Sequence, residues 1–306
     1  PTNSAAHGLL VWTNKGLSLL GGYAADGGTP GSLTNANTVL ANSSAASTNT
    51  YRILYLSNVT NGTLSRITIQ GGQVGWQNPQ TIALVPFYGA GVFASACSNL
   101  VFSAVTLSAN VLWGQQSGNT YGAGLYAADS YGLVTNCVFV NNAAYGLWTT
   151  HYGVGMHLAG GGWTVRDCQI RDNMPMNNGS YTTYPRGIGL YINGGLHAIR
   201  NCAITRNAAL GNFASIQGEA ITVAAGTMTL ENVTAYWHPN KGIERTGGTV
   251  TVRDSIFWDN NDDIVGVGIS LQNCDIQDGD SNGVAGCFST DPLFERGLYL
   301  ATNSPC

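Results

Sequence analysis

The side chains of this chain that could carry chemistry are seven cysteines, five histidines and 16 acidic residues. Cys137, Cys168 and Cys202 recur 31 and 34 residues apart within similar sequences. Zinc is a poor interpretation, because an inward row of thiols does not converge on one metal ion and no C-x₂-C signature is present. Free cysteine packs as a small apolar residue, so we expect a ladder of buried reduced thiols. Cys287 and Cys306 could form a disulfide, although spacing alone does not determine the pairing.

Acidic residues alternate through a segment near the C-terminal end that also contains glycines. Asp275, Asp278 and Asp280 offer the hard oxygen ligands that calcium prefers. The spacing is not that of an EF-hand, and a solvated acidic turn is the alternative. Calcium is the one ion that the sequence suggests, and no other cofactor is expected. The histidines show no metal-ligand spacing, so we expect them to be ordinary surface residues.

A repeat must position these side chains. Each of the three spaced cysteines follows a Gly-x-Gly pattern, and the second glycine stands 13 residues before the cysteine every time. Weaker copies extend in both directions, to about eight in all. Short strands that recur every 20–40 residues are typical of a β-solenoid, and parallel crossovers are right-handed. The sequence therefore predicts an all-β fold, a single right-handed parallel β-helix of about eight or more coils with loop insertions.

One domain is expected to span residues 1–306. Residues 1–50 would form an N-terminal cap and the first coils, residues 51–276 the regular coils, and residues 277–306 a C-terminal cap. Stacked coils lie ~4.8 Å apart, so equivalent positions form ladders. One ladder is a turn column of asparagines whose amides can bond to each other and whose type tolerates the left-handed backbone region. Its members are Asn110, Asn142, Asn173 and Asn207.

A second ladder lies beside the Gly-x-Gly motif and is mostly aromatic. Its members are Tyr55, Phe93, Tyr126, His157 and Tyr191. Stacking between coils would stabilise the sheet. Alternatively, an exposed aromatic stripe could be a platform for sugar rings or for another subunit.

Charge is scarce and unevenly distributed. Only 9% of residues are charged, the net charge is −4, and residues 67–128 carry no charge at all. This composition excludes a basic nucleic-acid-binding protein. The absence of any run of 18 apolar residues excludes a membrane span. The uncharged stretch suggests a surface that other copies cover.

The repeats around Cys137, Cys168 and Cys202 resemble those of pectate-lyase-like right-handed parallel β-helices. More specific segments resemble secreted bacterial β-helix proteins of the choice-of-anchor or polymorphic-outer-membrane-like type, and the resemblance as a whole covers nearly the whole chain. These segments are Leu19-Leu20-Gly21-Gly22-Tyr23, Asn37-Thr38-Val39-Leu40, Ser255-Ile256-Phe257-Trp258-Asp259-Asn260, Cys274-Asp275-Ile276-Gln277-Asp278-Gly279, Asp291-Pro292-Leu293-Phe294, Leu298-Tyr299-Leu300 and Asn303-Ser304-Pro305-Cys306. The resemblance implies an extracellular or cell-surface location, and it transfers no catalytic residue to this chain.

The sequence supports two hypotheses about function. The preferred one is an extracellular structural protein, a self-associating subunit of a filament, matrix or surface layer with an adhesive role. The alternative is a carbohydrate-binding or polysaccharide-degrading β-helix protein that acts on extracellular glycans. Hydrolysis needs two carboxyl groups about 5–9.5 Å apart. Asp167 and Asp254 share a predicted column but stand three coils apart, so an enzyme is the less favoured expectation and no catalytic residue is assigned.

Overall fold

The chain winds into a stack of parallel strands, as seen in a computed structural model. The structure describes residues 8–22, 38–42, 51–75, 86–114, 118–146, 149–176, 184–209, 218–295 and 297–306. Its 33 strands are numbered β1 to β33 in chain order. Equivalent strands of successive coils pair in parallel and form columns, which we number 1 to 5 in the order that one coil visits them.

Column 1 stacks nine strands, so nine coils are present in the described part of the chain. It contains β1 (Leu10–Thr13), β4 (Leu54–Ser57), β9 (Val92–Ser95), β14 (Leu125–Ala128), β19 (Met156–Ala159), the first parts of β24 (Leu190–Thr205) and β25 (Ile221–Tyr236), β26 (Lys241–Arg245) and β29 (Asp262–Val265). Strands β24 and β25 are 16 residues long because they run without a break through columns 1, 2 and 3. The predicted all-β parallel solenoid is confirmed.

Columns 2 and 3 complete the main barrel. Column 2 contains β2 (Ser18–Leu20), β5 (Thr63–Ser65), β10 (Leu100–Ser103), β15 (Tyr131–Thr135), β20 (Gly162–Arg166), the middle of β24 and β25, β27 (Thr249–Arg253) and β30 (Ile269–Gln272). Column 3 contains β3 (Thr38–Ala41), β6 (Ile67–Gln70), β11 (Thr106–Ser108), β16 (Val138–Val140), β21 (Gln169–Arg171), the last parts of β24 and β25, β28 (Ile256–Trp258) and β31 (Asp275–Ile276). Side chains alternate inward and outward along each strand, and the inward ones form one continuous apolar core.

Two further columns build a small lobe beside column 1, and within the described ranges their strands lie in the loops that follow coils 2 to 5. Column 4 contains β7 (Gln73–Gly75), β12 (Val111–Trp113), β17 (Ala143–Tyr145) and β22 (Met174–Met176), and column 5 contains β8 (Phe87–Tyr88), β13 (Thr120–Tyr121), β18 (Thr150–Tyr152) and β23 (Tyr184–Arg186). The lobe has its own apolar core, which includes Val74, Leu112, Val154 and Ile188. The repeats of coils 2 to 5, which are 31–38 residues long, contain this lobe, and the short C-terminal repeats lack it.

The corner between columns 2 and 3 has a fixed backbone conformation. Its residue has a positive φ of 50–57° in eight coils, at Arg66, Ala104, Asn136, Asp167, Asn201, Asn232, Asp254 and Asn273. Asparagine and aspartate tolerate this left-handed region better than other residues with a β-carbon, which explains why they dominate the corner.

The C-terminal residues fold back onto the last coils. Ile276 and Phe288 bond through the main chain, and the antiparallel hairpin of β32 (Phe294–Glu295) and β33 (Tyr299–Leu300) packs Phe294 edge-on against Tyr236 at 5.2 Å. No helix in the described ranges is long and apolar enough to cross a membrane.

Candidate functional site

The predicted aromatic ladder lies on the outward face of column 1. Tyr55, Phe93, Tyr126, His157 and Tyr191 are paired in register from coil 2 to coil 6. Neighbouring ring centroids are 5.0–5.4 Å apart along the whole row. The spacing matches the distance between coils, so each ring contacts the ring above and the ring below it.

A second row of rings from column 5 packs against this ladder. Tyr88, Tyr121 and Tyr152 stack on each other at 4.9 and 5.0 Å. They also contact the first row, for example at 4.6 Å between Tyr88 and Tyr126 and at 4.9 Å between Tyr152 and Tyr191. We call these eight side chains the aromatic wall. The sequence signal for the second row was present, because each of its tyrosines stands directly before a Gly-x-Gly motif.

The packing of the wall limits what it can bind. A sugar ring stacks on an open aromatic face, but most faces in the wall are covered by the next ring. His157 is 1% exposed and Tyr191 is 9% exposed. Burial, followed by neighbouring phenols, raises the pKa of Tyr126 and of Tyr191 to about 12. Burial also lowers the pKa of His157 to about 3, so this imidazole is neutral at physiological pH. The geometry therefore favours a rigid stack over an open platform.

The histidines differ most from expectation. His151, His157, His197 and His238 are all 2% exposed or less, so the prediction of surface histidines was wrong. The small lobe covers the outward face of column 1, and a strand pattern alone gives no sign of that cover. His151 lies within the lobe, where its Nδ1 is 2.7 Å from the Thr120 hydroxyl.

Arg52 closes one end of the aromatic wall. Its guanidinium lies 4.8 Å from the Phe93 ring centre and 5.6 Å from that of Tyr55, in a cation–π arrangement. The residue is 6% exposed, and its Nε has no hydrogen-bond partner in the described part of the chain. Burial lowers the pKa of Arg52 to about 10. The arginine still carries its charge at neutral pH, held by ring faces in place of a carboxylate.

A charged network closes the other end of the wall. Glu219 is fully buried and accepts hydrogen bonds from the Gly187 main chain at 3.1 Å and the Thr222 hydroxyl at 2.9 Å. Lys241 lies 4.0 Å from Glu219 and 2.5 Å from Glu244. Arg186 pairs with the same Glu244 at 2.9 Å. Sequence reasoning missed this network because its members come from separate coils.

Two carboxylates close to one lysine could in principle serve glycoside hydrolysis, so their exposure decides what they can do. Glu219 has no exposed surface, and the Glu244 side chain is 11% exposed. Both carboxylates are paired with cations, and the four charges of the network sum to zero. The arrangement can hold strands β23, β25 and β26 together, but it presents no accessible acid–base pair to a substrate.

The asparagine ladder forms a continuous chain of amide hydrogen bonds between columns 3 and 4. Asn110, Asn142 and Asn173 each donate from Nδ2 to the next asparagine Oδ1 at 2.9 Å, and Asn207 ends the row. All four residues are fully buried. The positive φ belongs to the preceding position, such as Asn141 at 55°, so the left-handed conformation expected for the ladder itself was misplaced by one residue.

The predicted row of cysteines follows directly after the corner between columns 2 and 3, and its thiols bond to main-chain groups there. The thiols of Cys137, Cys168 and Cys202 donate to the carbonyl oxygen two residues earlier at 3.0–3.2 Å. All seven cysteines are free, so the structure contains no disulfide between Cys287 and Cys306. Cys306 instead donates to a carboxylate oxygen of Asp275 at 3.1 Å.

The acidic residues proposed as calcium ligands separate into two places. Asp275 is buried and accepts from the Thr290 main chain, away from the other two. Asp278 and Asp280 instead gather with Asp262, and one carboxylate oxygen from each lies within 4.8 Å of the others. Burial, followed by Asp278, raises the pKa of Asp262 and of Asp280. The oxygen cluster that could hold a cation is therefore centred on Asp278, and Asp262 takes the place expected for Asp275.

Comparisons with known proteins agree with this architecture. A family model described as a right handed beta helix region matches residues 2–208, which is more than half of the chain. A search of curated proteins found no match, and a search of solved structures found none.

Proposed function

Because this chain belongs to the family of right-handed β-helix proteins, we propose that it is an extracellular structural protein whose copies associate side by side into a filament, matrix or surface layer. The observation that carries the proposal is one uncharged surface of two adjacent strand columns. This face consists of the outward side chains of columns 2 and 3 in coils 2 to 4, and we call it the hydroxyl face. Its members are Thr63, Ser65, Thr68, Gln70, Val101, Ser103, Thr106, Ser108, Tyr131, Leu133, Thr135, Val138 and Val140.

The hydroxyl face is suited to close contact with a second protein surface. None of the side chains within the two columns is charged and most are small, so no ion inside either column has to be desolvated when the face is covered. The exposed Arg66 lies at the corner between the two columns in coil 2. Serine and threonine hydroxyls can donate and accept, and can therefore satisfy a partner of the same kind. Twisted strands stacked in register keep the face regular over three coils.

The same columns carry charge further along the stack. Arg166, Arg200, Glu231 and Arg253 stand at equivalent outward positions of column 2 in coils 5 to 8. Glu231 pairs with Arg200 at 3.1 Å and with Arg253 at 2.8 Å on a surface open to solvent. This contrast supports an association that uses one half of the solenoid and leaves the other half hydrated.

Charge placed on the hydroxyl face tests the proposal. Thr68 and Thr106 are in register and half-buried, and replacing both with lysine should disrupt association. The matched control is lysine at Thr229 and Thr251, which are also in register and half-buried but lie in coils 7 and 8. Sedimentation velocity and electron microscopy should show assemblies for the parent and the control, and monomers for the first variant. A parent that stays a monodisperse monomer at high concentration, without filaments, would contradict the proposal.

A second candidate function is carbohydrate binding, with an adhesive role or polysaccharide cleavage as its outcome. The second row of the aromatic wall favours it, because Tyr88, Tyr121 and Tyr152 are only partly buried. A glycan array and a polysaccharide-degradation screen, each with and without calcium, would test it. Tyr121→Phe keeps the stack and removes one hydroxyl, so a binder that uses this row should weaken while assembly stays unchanged.

A further inference from the structure

A cavity of about 360 Å³ lies between column 3 and the C-terminal hairpin. Its floor consists of outward side chains from three successive coils, among them Gln169, Arg171, Ala203 and Tyr236. The hairpin supplies the opposite side with Leu298 and Tyr299. Cavities that hold small ligands begin at roughly this size.

Two guanidinium groups in this cavity are held in place by one carboxylate. Arg206 binds Asp172 through Nε at 2.7 Å and Nη2 at 2.9 Å. Arg171 binds the same carboxylate through Nη1 at 2.7 Å, and its Nε lies 3.4 Å from the Gln169 side chain. Nη1 of Arg206 and Nη2 of Arg171 have no partner among the described residues. The two arginines therefore retain positioned N–H donors, which lie beside the cavity.

The electrostatics of the cavity favour an anion. Arg171, Arg206 and Asp172 give the arginine end of the cavity a net charge of +1, while Asp259 bonds to the Tyr236 hydroxyl at the other end. The hydrogen bond from Arg206, ahead of the one from Arg171, holds the pKa of Asp172 below its ordinary value, so this carboxylate stays ionised and paired. Burial, and then Asp259, raise the pKa of Tyr236, which keeps that phenol neutral.

The walls of the cavity define the rest of the ligand. Tyr236 is fixed by its edge-on contact with Phe294, and Tyr299 is 78% exposed on the opposite side. Together with Leu298 and Ala203 these rings form an apolar slot. A flat ring would cover the slot, and a planar carboxylate would match the two guanidinium groups, which recognise such groups through paired N–H donors.

From this geometry we propose that the cavity is a binding site for a small carboxylate carried on a ring whose face can pack against an aromatic side chain. Arg171 and Arg206 bind the carboxylate, and Tyr236 and Tyr299 contact the ring. The site lies in coils 5 to 7 and is separate from both the hydroxyl face and the aromatic wall. It does not depend on the association proposed above.

Titration calorimetry on the full chain tests the site with two probes and their neutral counterparts. The probes are 4-hydroxybenzoate against 4-hydroxybenzamide, and D-glucuronate against D-glucose. A hydrogen bond to a charged group contributes about 1.5–3 kcal/mol, so each neutral compound should bind about tenfold more weakly or worse. Binding of the benzoate alone identifies an aromatic ring, binding of the glucuronate alone identifies a sugar ring, and both results support the site. No heat from either carboxylate at millimolar concentration overturns it.

Variants locate the binding. Arg206→Gln and Tyr299→Ala should each weaken the carboxylate about tenfold or more, and Tyr299 is exposed enough to be replaced without disturbing the fold. Arg200→Gln is the control, because this arginine pairs with Glu231 in column 2, outside the cavity. Equal affinity of the parent and Tyr299→Ala, or equal losses for Arg206→Gln and Arg200→Gln, would contradict the proposed site.

Discussion

Acid should destabilise this protein through its buried histidines, and His157 provides a test of that reasoning. Burial lowers the pKa of His157 and of His151 to about 3, whereas an unfolded histidine titrates near 6.5. Because the unfolded chain binds these protons first, stability is fully present above about pH 6.5 and is lost as the pH falls toward 3. Each neutral histidine contributes a loss of about 2 kcal/mol between about pH 7.5 and about pH 5.

Replacing His157 with phenylalanine should remove the contribution of this one histidine to the loss of unfolding free energy in acid. Phe93 already stands in the same row, and the Nδ1 of His157 has no hydrogen-bond partner in the described part of the chain. The imidazole of His157 bonds to the main-chain carbonyl of Tyr152, and this bond is lost in the variant. The carbonyl still accepts a hydrogen bond from the Gly122 main chain at 3.0 Å. The variant should therefore fold, and its free energy of unfolding should fall by about 2 kcal/mol less than that of the parent over the same pH interval.

Urea unfolding followed by circular dichroism at about pH 7.5 and about pH 5 measures this difference. Tyr126→Phe is the matched control, since it changes the neighbouring ring of the same row without removing a group that titrates in this range. Asp263 works in the opposite direction, because burial raises its pKa to about 6, but it is present in all three proteins and cancels. Equal acid losses in the parent and in His157→Phe would refute a neutral buried His157.

Three further outcomes are expected. Asn142→Ala removes four buried hydrogen bonds and should cost about 4 kcal/mol of unfolding free energy, whereas Asn141→Ala changes only an exposed corner and should cost about 1 kcal/mol; equal urea midpoints would contradict this. Millimolar calcium should raise the melting temperature of the parent and not of Asp278→Asn, because the cluster then loses a ligand charge; the same shift in both proteins would exclude the cluster as the site. Seven thiols should react with a thiol reagent after unfolding without reductant; finding five would indicate that a disulfide such as Cys287–Cys306 forms.

The repeat made much of the architecture predictable. The constant distance from the Gly-x-Gly motif to the cysteine places Tyr126, His157 and Tyr191 in one column, and the paired strands have that register. Residues at the same position of successive repeats lie directly above one another, because each coil adds the same rise along the solenoid axis. Ladders of identical residues therefore follow from spacing alone.

Insertions were harder to predict, because their sequences repeat less strictly than the coils. The small lobe arises from loops, and it is the reason why His157 is buried although it points outward. Asp275 was assigned to the acidic cluster by its nearness in sequence. It lies on strand β31, however, where its side chain is buried, while Asp278 and Asp280 follow in the turn and meet Asp262 at the start of β29 in the same coil.

The two charged residues that end the aromatic wall also lie at the two ends of the small lobe as far as the described residues show it. By register, Arg52 stands level with Ala90 at one end and Glu219 stands level with Ile188 at the other. Between these two residues the successive coils are structurally equivalent. A duplication of residues 122–152 would therefore insert one complete coil and lengthen the lobe. A duplication that copied either charged residue would instead bury an ion in the apolar row. Gene duplication within the middle of the stack can therefore add coils, whereas a duplication that includes Arg52 or Glu219 is disfavoured because it buries a charge.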